Sequence, residues 1–61
     1  MEKRFLNVSE VAEYLGFRPS AIRKWIRFGK IPFNRFNGNI RFDKILINQW
    51  AEKNFESVSR N

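Results

Sequence analysis

The side chains able to do chemistry in this sequence are cations set at helical spacing. Ser20, Arg23, Lys24 and Arg27 recur three and four residues apart, and Arg18, Lys30, Arg35, Arg41 and Lys44 extend the series on either side. A guanidinium offers a planar fork of N–H donors that fits phosphate oxygens or the N7 and O6 of guanine, and an ammonium offers a point charge for a phosphate. Covalent and metal chemistry have no comparable basis. The chain has no cysteine and no histidine, which excludes disulfides, the usual zinc sites, and Cys or His nucleophiles and acid–base groups. Glu10 and Glu13, near a helix start, read as dipole and solubility groups rather than a catalytic pair, and no glycine-rich phosphate loop is present. We therefore expect no enzymatic activity, no metal or other cofactor and no small-molecule ligand.

The charge is unevenly placed. The formal net charge is +6, yet residues 18–44 alone hold eight cations against the single anion Asp43, a net of +7, while the flanks hold four cations and five anions. A merely solvated surface interleaves its signs, whereas a segment this one-sided points to a polyanionic partner. No apolar run approaches the ~20 residues of a membrane span, and Met1-Glu2-Lys3-Arg4 leads into no secretory segment, so a cytoplasmic protein with no membrane partner is expected.

Those cations need an element that fixes them on one side. At about 100° per residue, Ile22, Trp25 and Ile26 fall opposite Ser20, Arg23, Lys24 and Arg27, so Pro19–Phe28 reads as an amphipathic helix. Pro19 suits its first position and Gly29 its left-handed close. A preceding helix is marked by Asn7, a cap whose bond Glu10 can return, by Leu6 and Val11 as a hydrophobic staple, and by Gly16 at its end. Val8, Val11, Ala12 and Leu15 share its inner face, with Tyr14 at the edge. The small Ala12, the turn at Gly16 and the apolar Ile22 have helix-turn-helix spacing, with Phe17 plugging the turn.

After Gly29, two apolar-punctuated runs surround Asn37-Gly38, a strong hairpin signal. A three-residue loop Asn37-Gly38-Asn39 would put Phe36, Ile40 and Phe42 on the inner face with Arg35 and Arg41 outside, and this is the preferred reading. A two-residue loop would instead group Phe33, Arg35, Ile40 and Phe42. Asp43 then caps a third helix whose Ile47, Trp50 and Ala51 close the core, with Leu46 and Asn54 alongside. Trp25 and Trp50 fall on apolar stripes and read as core residues. The ten aromatic residues supply that small core, since a chain of 61 residues buries only about 60% of its unfolded surface. The expected organisation is a flexible arm at 1–5, a single domain at 6–54, and a frayed tail at 55–61 with Phe55 able to fold back. The fold class is mainly α with a small β-hairpin, in the order α-α-β-β-α.

Taken together, Glu10-Val11-Ala12, Leu15-Gly16, Arg23-Lys24-Trp25-Ile26-Arg27, Gly29-Lys30-Ile31-Pro32, Arg35, Gly38, Arg41-Phe42, Ile47 and Trp50 resemble the excisionase-type DNA-binding domains, a winged helix-turn-helix family also similar to the DNA-binding half of MerR-type regulators. The resemblance runs from Leu6 through Trp50. It implies a bacterial or phage, nucleoid-associated protein whose second helix enters the major groove of double-stranded DNA and whose wing touches an adjacent minor groove or the backbone. Carried over by position, it casts Ser20, Arg23, Lys24 and Arg27 as major-groove or phosphate contacts and Arg35 and Arg41 as wing contacts. The residues themselves add Arg18 as a cation at the DNA end of the helix, Lys24, Lys30 and Lys44 as backbone anchors, and Asn37 and Asn39 as side chains of a tip small and polar enough to approach a sugar-phosphate strand. It also implies recombination directionality, with an integrase or further copies of the same protein as partners, or a small MerR-like transcriptional regulator. Two residues depart from the family pattern: Arg18 stands in place of a Ser or Thr cap, and Leu46 in place of an acidic residue. No long helix follows Trp50 in this sequence, so a coiled-coil dimer of the MerR type is not expected. A protein-interaction module using Ile45, Leu46 and Phe55 is the reading from another functional class.

Overall fold

Three helices and three short strands follow one another along residues 3–55, the part of the chain that the computed structural model describes. In order they are β1 (Phe5–Leu6), α1 (Val8–Leu15), α2 (Pro19–Arg27), β2 (Asn34–Phe36), β3 (Asn39–Asp43) and α3 (Lys44–Asn54). Positions 1 and 2 of the expected arm and 56–61 of the expected tail lie outside the described residues.

The ends of α1 and α2 are set by local chemistry. The Asn7 side chain accepts from the Glu10 N–H at 2.8 Å, and the Glu10 carboxylate accepts from the Asn7 N–H at 2.9 Å, so two otherwise orphaned donors are satisfied reciprocally. At the other end, Phe17 donates its N–H to the Ala12 carbonyl at 2.8 Å and Gly16 to Glu13 at 3.2 Å, a Schellman close. It requires the φ of +82° that Gly16 adopts. The same motif ends α2, where Lys30 donates to Trp25 at 2.8 Å and Gly29 to Ile26 at 3.1 Å. Only Gly16, Phe17 and Arg18 separate the two helices, which fixes their mutual angle.

The hairpin register differs from the preferred expectation. Asn34 pairs with Arg41, Arg35 with Ile40 and Phe36 with Asn39, so the loop is the two residues Asn37-Gly38. Their φ values of +53° and +80° are both left-handed, the requirement of a type I′ turn, whose twist matches that of the flanking strands. Because side chains alternate along a strand, moving the loop by one residue inverts the faces of β2. Arg35 therefore lies with Ile40 and Phe42 on the inner face, while Asn34, Phe36, Asn39 and Arg41 share the outer one. Phe36 is not a core residue but 71% exposed.

Nor is all of the stretch 1–5 an arm. Phe5 pairs with Asp43 and Leu6 with Phe42, adding β1 to form a three-stranded antiparallel sheet in the order β1-β3-β2. Lys44 donates its N–H to the Arg4 carbonyl at 2.8 Å, and the Arg4 guanidinium holds the Asp43 carboxylate at 3.0 and 3.3 Å. Asp43 accepts in turn from the Ile45 N–H at 3.0 Å, so one carboxylate caps α3 and anchors the N-terminal strand.

Every element except β2 feeds one core. Leu6, Val11, Ala12, Ile22, Ile31, Phe42 and Ile47 are buried together, with Val8, Leu15, Trp25, Ile26, Phe33, Ile40 and Trp50 packed around them. At roughly 1.5–3 kcal/mol for each fully buried large aliphatic or aromatic side chain, Val11, Ile22, Phe42 and Ile47 dominate its stability. A second, aromatic cluster closes the base of α3. Phe17, Trp25, Trp50 and Phe55 form a ring of edge-on and tilted neighbours with centroids 5.0 to 5.7 Å apart, and Phe55 folds back as expected.

Candidate nucleic-acid interface

The geometry of α2 follows from which of its side chains are withdrawn from water. Ile22 is fully buried and Trp25 and Ile26 are half-buried, which turns Ser20, Arg23, Lys24 and Arg27 outward along two adjoining turns. The exit of the helix is also fixed: Trp50 Nε1 donates to the Lys30 carbonyl at 2.8 Å, tying the end of α2 to α3. The Arg27 guanidinium lies 5.6 Å from the centroid of the exposed Phe28 ring, a cation–π contact that orients it. Arg18 is the N-cap in extended conformation (φ −83°, ψ 149°), but its side chain makes no capping hydrogen bond. Pro19 supplies the preorganised first turn, and the Arg18 guanidinium is left exposed beside it.

Electrostatically the face is uncompensated. The ion pairs among the described residues are Lys3–Glu10 and Arg4–Asp43, and neither uses a cation from residues 18–44. Asp43, the lone anion of that segment, is engaged from outside it. The hydrogen bond from Arg4 holds its carboxyl below the ordinary value of 3.8, and the hydrogen bond from Lys3 does the same for Glu10. Both therefore stay ionised at neutral pH with their charge already matched.

The expected contacts divide into three places. Arg18, Ser20, Arg23, Lys24, Arg27 and Lys30 belong to α2 and its two ends, all exposed. Asn37 forms the wing tip, with Asn39 and Arg41 on the outer face of the wing and Arg35 on the inner one, so the two wing arginines are not side by side. The Arg41 guanidinium donates to the Ile40 carbonyl at 2.8 Å. Lys44 stands apart, half-buried with its ammonium 5.0 Å from the Tyr14 ring centroid. It lines a groove of about 480 Å³ with Lys3, Arg4, Tyr14, Ile45 and Asn48, in which the Tyr14 hydroxyl donates to Asn48 Oδ1 at 2.6 Å. Ile45 and Leu46 are 51% and 43% exposed. Sequence reasoning overlooked Phe28 and Phe36 as surface groups. The signal for Phe36 was present, since Asn-Gly favours the two-residue loop that turns it out.

Two helices joined by a short glycine-closed turn, with a cationic second helix and a small hairpin beside it, define a winged helix-turn-helix. Comparison with protein families agrees: a family model described as a helix-turn-helix domain matches residues 5–54. The chain belongs to this excisionase-like helix-turn-helix family, and is a DNA-binding helix-turn-helix domain. No curated protein and no solved structure matches it. Among the described residues no helix is long and apolar enough to cross a membrane.

Proposed function

We propose that this domain binds double-stranded DNA in a sequence-specific manner, with α2 in the major groove and the wing on the adjacent minor groove or backbone, as an excisionase-like recombination directionality factor. The observation that carries the reading is the exposed row Ser20, Arg23, Lys24 and Arg27, free of ion pairs among the described residues and held in place by the fully buried Ile22. Arg23, at the middle of α2, reads a base edge. Lys24, Lys30 and Lys44 bind phosphates, Arg27 and Arg18 extend the α2 contacts, and Arg35, Asn37, Asn39 and Arg41 serve the wing. One such module buries only about 600–1,000 Å² on DNA, so useful specificity calls for several copies at repeated sites or a larger partner such as an integrase. A small transcriptional regulator would use the same surface. Selection from a random duplex pool tests the reading: it predicts one enriched sequence, and a pool left unenriched would contradict it. Addition of the protein to an integrase reaction on a substrate carrying that sequence separates excision from transcriptional control.

A further inference from the structure

We propose that Phe36 is a wedge that enters the minor groove beside the wing tip and unstacks a base step. This rests on the DNA reading above and adds to it a residue with a mechanical role. Phe36 is 71% exposed, more than any other large apolar side chain among the described residues, and it immediately precedes the Asn37-Gly38 turn. A phenyl ring held in water at the end of a hairpin gains nothing for the fold. The outer face around it carries side chains able to donate hydrogen bonds, Asn34, Asn39 and Arg41, and its lone anion, Asp43, is already bound to Arg4. The floor of the minor groove presents acceptors, the N3 of adenine and O2 of thymine, and its walls carry phosphates, so this mixture of donors and cation complements it. A two-residue turn is also the narrowest tip a hairpin can form, which suits a groove about 6 Å wide.

Behind the ring, Phe36, Asn34 and Arg41 together with Phe5 of β1 line an open slot of about 440 Å³. Two apolar walls with one guanidinium match a deoxyribose and its phosphate, so the backbone bent away beside the wedge has a seat on the sheet. Aromatic and aliphatic wedges of this kind part base steps and kink duplexes by roughly 20–90°. A protein partner fits this face less well, because its one cation, Arg41, has no ion-pair partner among the described residues and its most exposed ring lies at the tip of the wing rather than at the centre of the patch.

The test uses the full chain and the enriched duplex carrying 2-aminopurine at successive positions beneath the wing. Wild-type protein is expected to raise the fluorescence several-fold at one step, the signature of unstacking. Phe36→Ala should abolish that rise and weaken binding by about tenfold or less, with the salt slope unchanged because no phosphate contact is lost. Phe36→Leu should retain part of the rise, and Leu46→Ala, which removes an exposed apolar side chain on α3 that the wedge does not use, should retain all of it. Matching melting temperatures would show the variants folded, as the exposure of Phe36 leads us to expect. A rise unaffected by Phe36→Ala, or no rise at any position on a duplex that binds tightly, overturns the wedge and leaves the DNA reading standing. Loss of copy-to-copy association in Phe36→Ala with the rise intact assigns the face to protein contact and also overturns it. Failure to enrich any duplex defeats both.

Discussion

Arg23→Ala and Lys30→Ala remove one cation each from the same surface, yet they should weaken binding in different ways. Arg23 is the fifth residue of α2, exposed, and has no ion-pair partner among the described residues, while its neighbour Ile22 is fully buried. Truncation at Arg23 therefore removes reach without disturbing the packing that orients the helix. If its guanidinium grips guanine N7 and O6, the loss is about 1–3 kcal/mol, or roughly five- to 150-fold, on the enriched duplex and little on a scrambled one. Lys30 lies past the end of α2, where its carbonyl is held by Trp50 and its side chain is exposed. As a phosphate contact it contributes about 0.9 to the slope of log K against log salt, so Lys30→Ala should lose about 3.5-fold less affinity than wild type between 50 and 200 mM salt, alike on both duplexes. Fluorescence anisotropy on the two duplexes at three salt concentrations separates the cases. Equal losses on both duplexes for Arg23→Ala would refute its assignment as a base reader.

Three further outcomes follow from the fold. Gly16 holds a φ of +82° with no heavy atom within 4 Å of where a Cβ would stand, so Gly16→Ala meets no clash and costs about 1–2 kcal/mol of backbone strain alone; thermal unfolding should fall by about 4–8 °C per kcal/mol, and an unchanged midpoint would contradict the Schellman close. Ile22→Val should cost about 0.5–1.5 kcal/mol and Ile22→Ala about 2–5 kcal/mol. A chain of 61 residues has only about 3–9 kcal/mol in total, so the alanine variant should lose a large share of its stability and its urea midpoint should fall steeply. Acid should destabilise the protein through Asp43 and Glu10. Their carboxyls are held below 3.8 and 4.5, so the stability they add is fully present above those values and drains away as pH falls through the lowered folded ones. The urea midpoint should drop between pH 6 and pH 3, and a double variant, Glu10→Gln with Asp43→Asn, should flatten that drop; an equally steep fall in the variant would exclude these two groups.

The helical part of the domain was legible because its signals are local. Asn7 with Glu10, Gly16, Pro19, Gly29 and Asp43 each mark a helix end through bonds made within a few residues, and the apolar stripes of α1 and α2 need no distant partner to be recognised. The sheet was less legible because its determinants are not local. Whether Phe5 is an arm or a strand depends on Asp43 and Phe42, far away in sequence, and on Arg4 reaching that same carboxylate. The wing register turned on a single residue of loop length: two aromatic residues at positions 33 and 36 gave either face an apolar pattern, and the decision belonged to the left-handed geometry of Asn37 and Gly38. The cationic row on α2 was readable as a helical face, whereas the tie from Trp50 to Lys30 and the placement of Lys44 over Tyr14 required the tertiary fold.

The central claim is that the exposed cations of α2 and the wing meet a duplex, and its most direct test is the salt dependence of binding to the enriched sequence. Arg18, Arg23, Lys24, Arg27, Lys30, Arg35 and Arg41 are all exposed. With four to seven of them on phosphates, log K against log salt should fall with a slope of about −3.5 to −6, a loss of roughly 100- to 4,000-fold between 50 and 200 mM. A slope near zero would contradict the account.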